Sequence, residues 1–432
     1  MEKLIELEFN KKEPMIMHLD LNSCFASIEQ QANPLLRGKP VAVAAYTNPG
    51  GCIVAPSVEA KKLGVRVGMR VRDGKMLVPE LVVLPPDPNK YRAVHLKFKE
   101  LLGSYTDKIS PKSIDEFVLD FEGSPARRKG MEAVALEIKQ RIKAEVGDFL
   151  RVSVGIAPNR WLAKTGAGLH KPDGLDVIDK NNFLKIFMGL ALEDLCGIKS
   201  NNAARLNQMG IFSVVDFWAA DAYKLKAAFG SVTGYYWYLR LRGFEVDDVV
   251  FGRKSYGNSY ALPKPLSMPE ELAPILQKLV FKMGMRMRRA GYRGGGVHLG
   301  MLYRDFSWWH HGHKQPVSIF DSRDIYKEAK RILVSAPYRK PVHTLSVSCF
   351  DLVRQEAIQM TMLDDVLKKE SLAEAVDKVN ERWGNFVLTP VLMMGTSDLV
   401  QDRVAFGGVK ELEEFVWAEE DLNLHDLSVT GS

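Results

Sequence analysis

Residues 15–29 read MIMHLDLNSCFASIE and run a short apolar strand into a carboxylate and then into an aromatic side chain. The alternation before Asp20 has the period of two that is typical of a strand, so Asp20 is predicted to lie where a buried strand ends and a loop begins. A lone Asp at such a place is more often a helix cap or a turn residue. A functional interpretation of Asp20 therefore requires partners elsewhere in the chain.

Candidate partners occur in the stretch 109–121, ISPKSIDEFVLDF. Its last five residues predict a strand, and residues 113–116 predict the turn that leads into it. Adjacent side chains of a regular strand point to opposite faces, so Asp115 and Glu116 can face one ion only from a hairpin turn or a distorted strand start. Three carboxylates from two neighbouring strands are the minimum needed to hold two Mg²⁺ ions. This set indicates phosphoryl transfer.

Length and composition set the broad class of the protein. A chain of 432 residues with 46% hydrophobic residues predicts two to four globular domains. No apolar run reaches the length of a membrane helix, and the start, MEKLIELEFNKKEP, is too charged for a signal peptide. The four cysteines are far apart and form no C-x-x-C pair, which argues against a disulfide framework and a thiolate zinc site. We expect a cytoplasmic protein with reduced thiols and no membrane partner.

The charge is spread unevenly along the chain. Residues 251–350 contain 17 Lys and Arg against 6 Asp and Glu, whereas the rest of the chain carries a net charge of −5. One basic region on a mildly acidic protein is typical of a nucleic-acid partner, although a solvated basic face is the alternative. The sequence from Asp398 onward has 9 acidic and 2 basic residues and predicts a flexible acidic tail.

The predicted elements give an α+β chain with several domains. The first part has the order strand, helix, hairpin, helix, strand, which predicts an antiparallel sheet with helices on one face. From Leu192 the pattern is helical, with helix–hairpin–helix units around Gly197 and Gly230. Such helix starts offer backbone N–H groups to phosphate, although plain connectors look the same. Beyond a linker at 243–252, a β-α-β-β-α-β order predicts a four-stranded sheet backed by two helices.

The motifs together resemble the Y-family translesion DNA polymerases of the DinB and UmuC type, from about Met15 to residue 397. They are DLNSCFASIE, SIDE, SVGIAPNRWLAK with KPDG, and a hairpin GI before the basic β-α-β-β-α-β region, in the family's order and spacing. The resemblance implies a right-hand polymerase: palm 15–23 and 89–178, fingers 24–88, thumb 179–244, linker 245–252, little finger 253–397 and acidic tail 398–432.

The resemblance also implies roles for individual residues. Asp20, Asp115 and Glu116 would be the catalytic metal ligands for two Mg²⁺ ions, with the backbone carbonyl of Leu21 completing one site. Phe25 would be the aromatic steric gate against a ribose 2′-OH, and Lys171 would lie over the triphosphate. The predicted nucleotide-binding residues are Asn22, Ser23, Cys24, Phe25, Lys61 and Lys171. The predicted DNA contacts are Gly197, Lys199, Arg253, Lys254, Arg286, Arg288, Arg289 and Arg293.

Four positions depart from the family pattern. The DinB fingers carry a hydroxyl residue, a Tyr and an Arg against the triphosphate, whereas this chain has Ala55, Val58 and Lys61. The UmuC branch also lacks the Tyr and carries a Lys. A Lys is a point charge and cannot make the bidentate contact of an Arg. Lys199 replaces the usual second Gly of the thumb hairpin, which predicts a looser phosphate contact.

Two further patterns carry alternative interpretations. His310, His311 and His313 follow two tryptophans, but no fourth ligand lies within reach by spacing, so a hairpin tip is predicted rather than a zinc site. Gln401, Val404 and Phe406 loosely resemble the sliding-clamp peptide Q-x-x-L-x-F of bacterial polymerases, with an ordinary tail segment as the alternative.

The function predicted from these features is a low-fidelity, template-directed DNA polymerase that acts on primer-template DNA and dNTPs, as a monomer, in translesion synthesis. One rival is a catalytically weak or silent DNA-binding homologue, which the altered finger positions favour and the intact carboxylates oppose. The other is a palm-type nucleotidyl transferase or cyclase, which would leave the thumb and the basic domain unexplained.

Overall fold

The computed structural model describes residues 7–249, 252–354, 364–384 and 386–400. The chain divides into two compact units, one ending at Val249 and one following it. Each unit has its own hydrophobic core. In the described ranges, no helix combines the length and the apolar character that crossing a bilayer requires. None of the four cysteines forms a disulfide.

The first unit contains short strands interleaved with helices. Its strands are β1 Ile16–Leu21, β2 Val41–Ala44, β3 Ile53–Pro56, β4 Val82–Leu84, β5 Ile109–Pro111, β6 Glu116–Asp120, β7 Val152–Ala157 and β8 Leu175–Val177. Its helices are α1 Cys24–Ala32, α2 Val58–Lys62, α3 Val71–Leu77, α4 Pro88–Gly103, α5 Met131–Arg141, α6 Arg160–Leu169, α7 Phe183–Met188, α8 Ser200–Gln208, α9 Val214–Ala219, α10 Ala222–Phe229 and α11 Thr233–Leu241.

A five-stranded sheet of order β5-β6-β1-β7-β8 forms the centre of this unit. The predicted antiparallel arrangement holds for β1 with β6 and β7, but β7 and β8 are parallel. The prediction of helices on one face is wrong, because β1 is buried on both sides. Met17 and Leu19 share a core with α4 and α5, whereas Ile16 shares another with α6. Continuous burial of this kind requires helices above and below the strand.

The close approach of α6 to the sheet depends on one glycine. A Cβ added to Gly155 of β7 would lie 2.0 Å from the carbonyl oxygen of Ala163 and 2.2 Å from the backbone nitrogen of Ala167. Only a residue without a side chain fits such a backbone contact. Asn159 caps the start of the helix, because its side chain accepts a hydrogen bond from the Leu162 N–H at 2.7 Å. The close contact at Gly155 sets α6 over β7 and over the neighbouring β1, which carries Asp20.

Two smaller groups of elements complete the first unit. Strands β3-β2-β4 form a separate sheet that packs with α2 and α3 around a core containing Ile53, Val65 and Leu81. Helices α8 to α11 confirm the predicted helical region and its turns, with Gly197 at φ 96° and Gly230 at φ 61°. Helix α3 was not predicted from the sequence.

The second unit confirms the predicted β-α-β-β-α-β order. Its strands are β9 Ser255–Leu266, β10 Tyr292–Tyr303, β11 Trp308–Ile319 and β12 Val342–Arg354, and its helices are α12 Pro269–Arg289, α13 Ser322–Ser335 and α14 Asp364–Trp383. The sheet order is β11-β10-β12-β9, and its apolar face packs on α12 and α13. The sequence did not predict α14.

Two predictions for this unit are wrong. His310, His311 and His313 lie within β11, opposite Gly300, Leu299 and Val297, rather than at a hairpin tip. Strand β11 lies at the edge of the sheet and is exposed over most of its length. Such a strand does not need alternating apolar residues, so its polar sequence gave no signal of a strand. The acidic tail does not begin at Asp398, because Val400 is buried in the core of the unit. Gln401, Val404, Phe406 and the rest of the predicted tail lie outside the described residues.

Candidate active site

The carboxylates of the two motifs come from neighbouring strands. Asp20 near the end of β1 lies directly opposite Glu116 at the start of β6. Cross-strand partners of an antiparallel pair project from the same face, with Cβ atoms about 5 Å apart. Asp115 precedes β6 in the turn of the predicted hairpin, where the Lys112 N–H donates to the Glu116 carbonyl at 2.8 Å. The hairpin therefore supplies the distorted strand start that the two adjacent carboxylates require.

Backbone contacts tie this turn to the end of β1. The Leu21 N–H donates to the carbonyl of Asp115 at 2.9 Å, and the Ser113 hydroxyl donates to the Asp115 carboxylate at 2.5 Å. Among the described residues, the atoms that could ligate one metal ion belong to His18, Asp20 and Glu116, all within 4.8 Å of one another. Asp115 lies beside this group and, with Asp20, lines the adjacent cavity.

Two lysines face the carboxylates. Lys171 Nζ lies 2.7 Å from Asp20 Oδ2, and Lys164 Nζ on α6 donates to both oxygens of Glu116 at 2.8 Å. Lys171 belongs to the KPDG loop, where the Asp173 N–H donates to the Asn22 side-chain oxygen at 2.7 Å. The loop is thereby held beside the residue that follows β1. Both sides of the carboxylate group have a cation within hydrogen-bond distance.

The pKa values reflect burial and crowding of negative charge. Burial raises the pKa of Asp20 to about 6, although the neighbouring Lys171 opposes this shift, and the charges of Asp115 and Glu116 add a smaller upward contribution. Burial also raises the pKa of Asp115. Burial alone would raise the pKa of Glu116, but the Lys164 hydrogen bonds hold it below its ordinary value. The negative charges of neighbouring carboxylates repel one another, and burial disfavours the charged form of each. A bound cation would remove this repulsion, so the site is suited to cations.

A cavity of about 530 Å³ opens beside Asp20 and Asp115. Its lining includes the predicted nucleotide-binding residues Asn22, Ser23, Cys24, Phe25, Lys61 and Lys171, together with Leu21 and the departures Ala55 and Val58. Phe25 is buried and stacks on Tyr91, with ring centroids 4.3 Å apart. Burial lowers the pKa of Lys61, and Lys171 adds to this effect. Lys61, Lys62 and Lys171 therefore all line one pocket, which suits a polyanionic ligand.

Some predicted nucleotide-binding side chains are already engaged. The Asn22 amide donates to the Ser153 hydroxyl at 3.0 Å, and the Asn22 oxygen accepts from Asp173, so this side chain joins β1, β7 and the KPDG loop. Cys24 is buried, and burial raises the pKa of its thiol well above the ordinary value. These contacts position the cavity wall, and contact of Asn22 and Cys24 with a nucleotide remains a prediction.

The sequence interpretation missed two residues of the site. His18 shares the sheet face of Asp20, a signal that was present in the period of two along β1. Lys164 is a charged residue in the middle of α6, within an otherwise apolar segment, WLAKTGAGL. A lysine that interrupts an apolar helix face is the signal that could have identified it.

The predicted DNA contacts differ in their surroundings. Lys199 begins α8 after the turn at Gly197 and is exposed, as is Lys254 in the second unit. Arg288 donates to both oxygens of Asp377 on α14, at 2.7 and 2.8 Å, and to the Phe320 carbonyl. Arg293 pairs with Glu370, and Arg289 lies 3.1 Å from Glu381.

These ion pairs correct the interpretation of the basic region. The side chains of Arg288 and Arg293 are only 13% and 11% exposed, and their guanidinium groups hold α14 in place. A DNA contact is therefore disfavoured for Arg288 and Arg293, because the guanidinium group of each already forms an ion pair with a carboxylate. Arg253, Arg286 and Arg289 also have intramolecular interactions, including the 4.2 Å approach of Arg253 to the Tyr256 ring and the hydrogen bond from Arg286 to the Gly257 carbonyl.

Comparison with known proteins agrees with the motif resemblance. The impB/mucB/samB family matches residues 19–167, and the C-terminal domain of the same family matches residues 253–362. DNA polymerase IV 1 of Bacillus subtilis is 31% identical over 382 residues, 86% of this chain and 91% of the relative. DNA polymerase IV 1 of Halalkalibacterium halodurans is 30% identical over 421 residues, 95% of this chain and 99% of the relative.

Solved structures agree as well. A Y-family DNA polymerase chimera of Dbh and Dpo4 matches with a TM-score of 0.69 and 27% identity, over 78% of this chain and 99% of that chain. An insertion ternary complex of Dbh DNA polymerase matches with a TM-score of 0.54 and 25% identity, over the same shares. These matches confirm the resemblance drawn from the motifs and the mixed α+β class. The chain therefore belongs to the impB/mucB/samB family and is a DinB-type member of the Y-family DNA polymerases.

Proposed function

We propose that the protein adds dNTPs to a primer 3′-OH under the direction of a template, by phosphoryl transfer that uses two Mg²⁺ ions, and that it acts in translesion synthesis. The observation that carries the proposal is the convergence of Asp20, Asp115 and Glu116 at one end of a sheet, beside a cavity that also holds Lys61 and Lys171. Carboxylates next to a cation-lined pocket suit a metal–triphosphate substrate.

The donor set fits Mg²⁺ in its chemistry. Asp20, Asp115 and Glu116 offer hard oxygens, as does the Leu21 carbonyl, and Mg²⁺ takes few protein ligands because phosphate and water complete its octahedron. When bound, Mg²⁺ would supply charge neutralisation and a lowered pKa at the attacking hydroxyl. Lys164 and Lys171 hold Glu116 and Asp20 in place. The carboxylates are thus pre-arranged by the chain itself.

The cavity assigns roles to the residues around the nucleotide. Lys171 and Lys61 would neutralise the triphosphate as it enters. Phe25, fixed by stacking on Tyr91, would pack beneath the sugar and exclude a ribose 2′-OH. The side chains of Ala55 and Val58 offer no hydrogen bond to the triphosphate, so retention of the triphosphate would depend on the lysines of the cavity.

The partners of the solved neighbours support DNA and a nucleotide as substrates. Two matching Dbh structures are described as an insertion ternary complex and a post-insertion binary complex. By analogy we assign residues 15–23 and 89–178 to the palm, 24–88 to the fingers, 179–244 to the thumb, 245–252 to the linker and 253–397 to the little finger. In the thumb, the Gly197 turn before α8 would contact phosphate, with Lys199 beside it.

Primer extension tests this proposal and its rival, a catalytically silent homologue. A labelled primer is annealed to four templates that differ only in the first templating base, and each dNTP is offered alone with Mg²⁺. We expect addition of the complementary nucleotide on each template and none in the presence of a chelator. Absence of extension would favour the silent homologue, and extension that ignores the template would contradict the polymerase assignment. The same assay across a damaged template base tests the translesion role.

A further inference from the structure

His18 is a buried group that the proposed polymerase mechanism does not use. It lies in β1 between Ile16 and Asp20 and shares their sheet face, with Val118 of β6 opposite on one side and Gly155 of β7 on the other. Its relative exposure is 1%. Because α6 covers this face, the ring is enclosed between the helix and the end of the sheet that carries the carboxylates.

The His18 ring is chemically unsatisfied. Neither ring nitrogen has a hydrogen-bond partner, and Nε2 lies 4.0 Å from Glu116 Oε1. Leaving a buried polar group without a partner costs about 1 to 3 kcal/mol, and such groups are rare enough in native proteins to need a specific explanation. An apolar residue at this position would avoid that cost, so the histidine points to a ligand that binds there.

The His18 ring can offer a lone pair to a ligand. A neutral imidazole has one nitrogen with a free lone pair, and this is the form in which histidine ligates metals. Since neither nitrogen of His18 has a hydrogen-bond partner, either nitrogen can serve as the ligand atom.

We propose that His18, Asp20 and Glu116 form a mixed nitrogen and oxygen site for a divalent transition-metal ion, with Zn²⁺ as the probe. One ligand atom from each residue lies within 4.8 Å of the other two. Ligand atoms of one tetrahedral Zn²⁺ at about 2.1 Å lie about 3.4 Å apart, so the 4.0 Å between His18 Nε2 and Glu116 Oε1 has to shorten by about 0.6 Å and no pair of ligand atoms by more than about 1.4 Å when the ion binds.

The nitrogen donor distinguishes this site from the oxygen site for Mg²⁺. Imidazole favours Zn²⁺ and its neighbours in the transition series, whereas Mg²⁺ prefers oxygen ligands. The two sites share Asp20 and Glu116, so Zn²⁺ bound through His18 excludes Mg²⁺ from those carboxylates. In the metal-free protein, Lys164 pairs with Glu116 and Lys171 pairs with Asp20. These ion pairs break when Zn²⁺ binds to the two carboxylates. The inference concerns metal binding by the free protein and does not require polymerase activity.

The first test is calorimetric titration of the full chain with Zn²⁺, without DNA or dNTP. The reference protein carries His310→Asn, His311→Asn and His313→Asn, because these exposed histidines of β11 could bind Zn²⁺ by themselves. Adding His18→Leu should weaken Zn²⁺ binding at least about tenfold and change Mg²⁺ binding less than about threefold. Equal losses for both metals, or no loss for Zn²⁺, would overturn the proposal, because His18 would then only shape the carboxylate group.

A matched control distinguishes this site from any histidine beside a carboxylate. His170 Nδ1 lies 2.7 Å from Asp176 Oδ1, and the His170 side chain is 77% exposed. We expect His170→Asn in the reference protein to leave Zn²⁺ affinity unchanged. If His170→Asn lowers the affinity as much as His18→Leu, the binding belongs to surface histidines and the proposal fails.

A second measurement avoids any folding defect of the His18 variant. X-ray absorption at the zinc edge is recorded on the reference protein with one equivalent of Zn²⁺, and the outer-shell scattering of an imidazole ring is sought. Scattering from one imidazole with the remaining ligands oxygen supports the site. A shell of oxygen ligands alone would overturn the proposal.

Discussion

The carboxylate site of the first unit and the α12–α14 contact of the second unit are both clusters of opposite charges, and they are built differently. At the site, burial and crowding raise the pKa values of Asp20 and Asp115, and a neutral His18 has no partner. In the second unit, Arg288 meets Asp377 through two parallel hydrogen bonds. Lys164 and Lys171 pair with Glu116 and Asp20 at the site as well, but burial still raises the pKa of Asp20 there. Complete pairing is typical of structural ion pairs, whereas charges held against their preference are typical of functional sites.

The comparison shows how a charge count can mislead. The +11 of residues 251–350 suggested a surface that must face an anion. Part of that charge faces α14, whose Glu370, Asp377 and Glu381 lie outside the counted window. The net charge of a region therefore predicts a nucleic-acid partner only after the charges that form ion pairs within the protein have been subtracted.

The largest expected effect is at the carboxylate site. Replacing Glu116 or Asp115 by Ala should lower the rate of nucleotide addition at least about a thousandfold, because each change removes a proposed ligand of the metal ions. Single-turnover primer extension measures the rate, and fluorescence anisotropy measures DNA affinity. A loss of DNA affinity above about tenfold would show that the carboxylates also serve DNA binding and would contradict their assignment to chemistry alone.

In the second unit, the same kind of change should affect stability instead. Asp377→Ala leaves the guanidinium of Arg288 without its bidentate partner and should destabilise this unit by about 2 kcal/mol. The more exposed pair of Arg289 and Glu381 provides the control, since Glu381→Ala should cost less than about 0.5 kcal/mol. Urea unfolding of the full chain measures both. Equal losses of unfolding free energy for Asp377→Ala and Glu381→Ala would mean that burial does not make the Arg288 pair more stabilising than the Arg289 pair.

Phe25 tests whether the cavity is shaped for deoxyribose. Phe25→Ala should improve ribonucleotide incorporation relative to dNTP by about tenfold to a hundredfold, because the space occupied by the ring would admit a 2′-OH. The measurement is the ratio of kcat/KM for the matched dNTP and rNTP. If that ratio keeps its original value, Phe25 is a core residue that stacks on Tyr91 and has no role in sugar selection.

Substitutions at Val58 and Lys61, two of the positions that depart from the DinB pattern, should improve binding of the triphosphate. Val58→Tyr adds a hydroxyl donor toward a triphosphate, Lys61→Arg replaces a point charge by a guanidinium that can bond to phosphate through two N–H groups, and one bond to a charged group contributes about 1.5 to 3 kcal/mol. We expect the KM for dNTP to fall about tenfold in steady-state primer extension. An unchanged or higher KM would mean that these positions do not reach the phosphates.

The smallest effect concerns the salt dependence of DNA binding. Exposed Lys254 is a candidate phosphate contact, so Lys254→Met should flatten the slope of log affinity against log salt by about one. The paired change Arg288→Met with Asp377→Leu removes a basic residue that already has a partner and should leave the slope unaltered. Anisotropy across a salt series measures both proteins. A flatter slope for the variant Arg288→Met with Asp377→Leu would indicate that Arg288 does contact DNA phosphate.

Local sequence determined much of this protein. The period of two before Asp20, the turn before β6 and the alternation of strands and helices in the second unit were visible without coordinates, because each depends on neighbouring residues and on burial of one face. The motifs around Asp20, Asp115 and Glu116 also identified the family. Several helix boundaries shifted by only one or two residues, as expected where helix ends fray, whereas β10 and β11 begin well before the apolar residues that predicted them.

Tertiary structure decided what depends on contacts between distant segments. Lys164 reaches Glu116 from a helix that begins 44 residues later, and only the close approach of α6 over Gly155 makes the contact. Asp377 reaches Arg288 from a helix 89 residues away, so no local pattern could reveal that the arginine is occupied. His18 carried the right periodicity, but its lack of a partner is a property of the packed core. A sequence states which charges exist, and the fold decides which of them are already paired, because pairing is set by distance and burial.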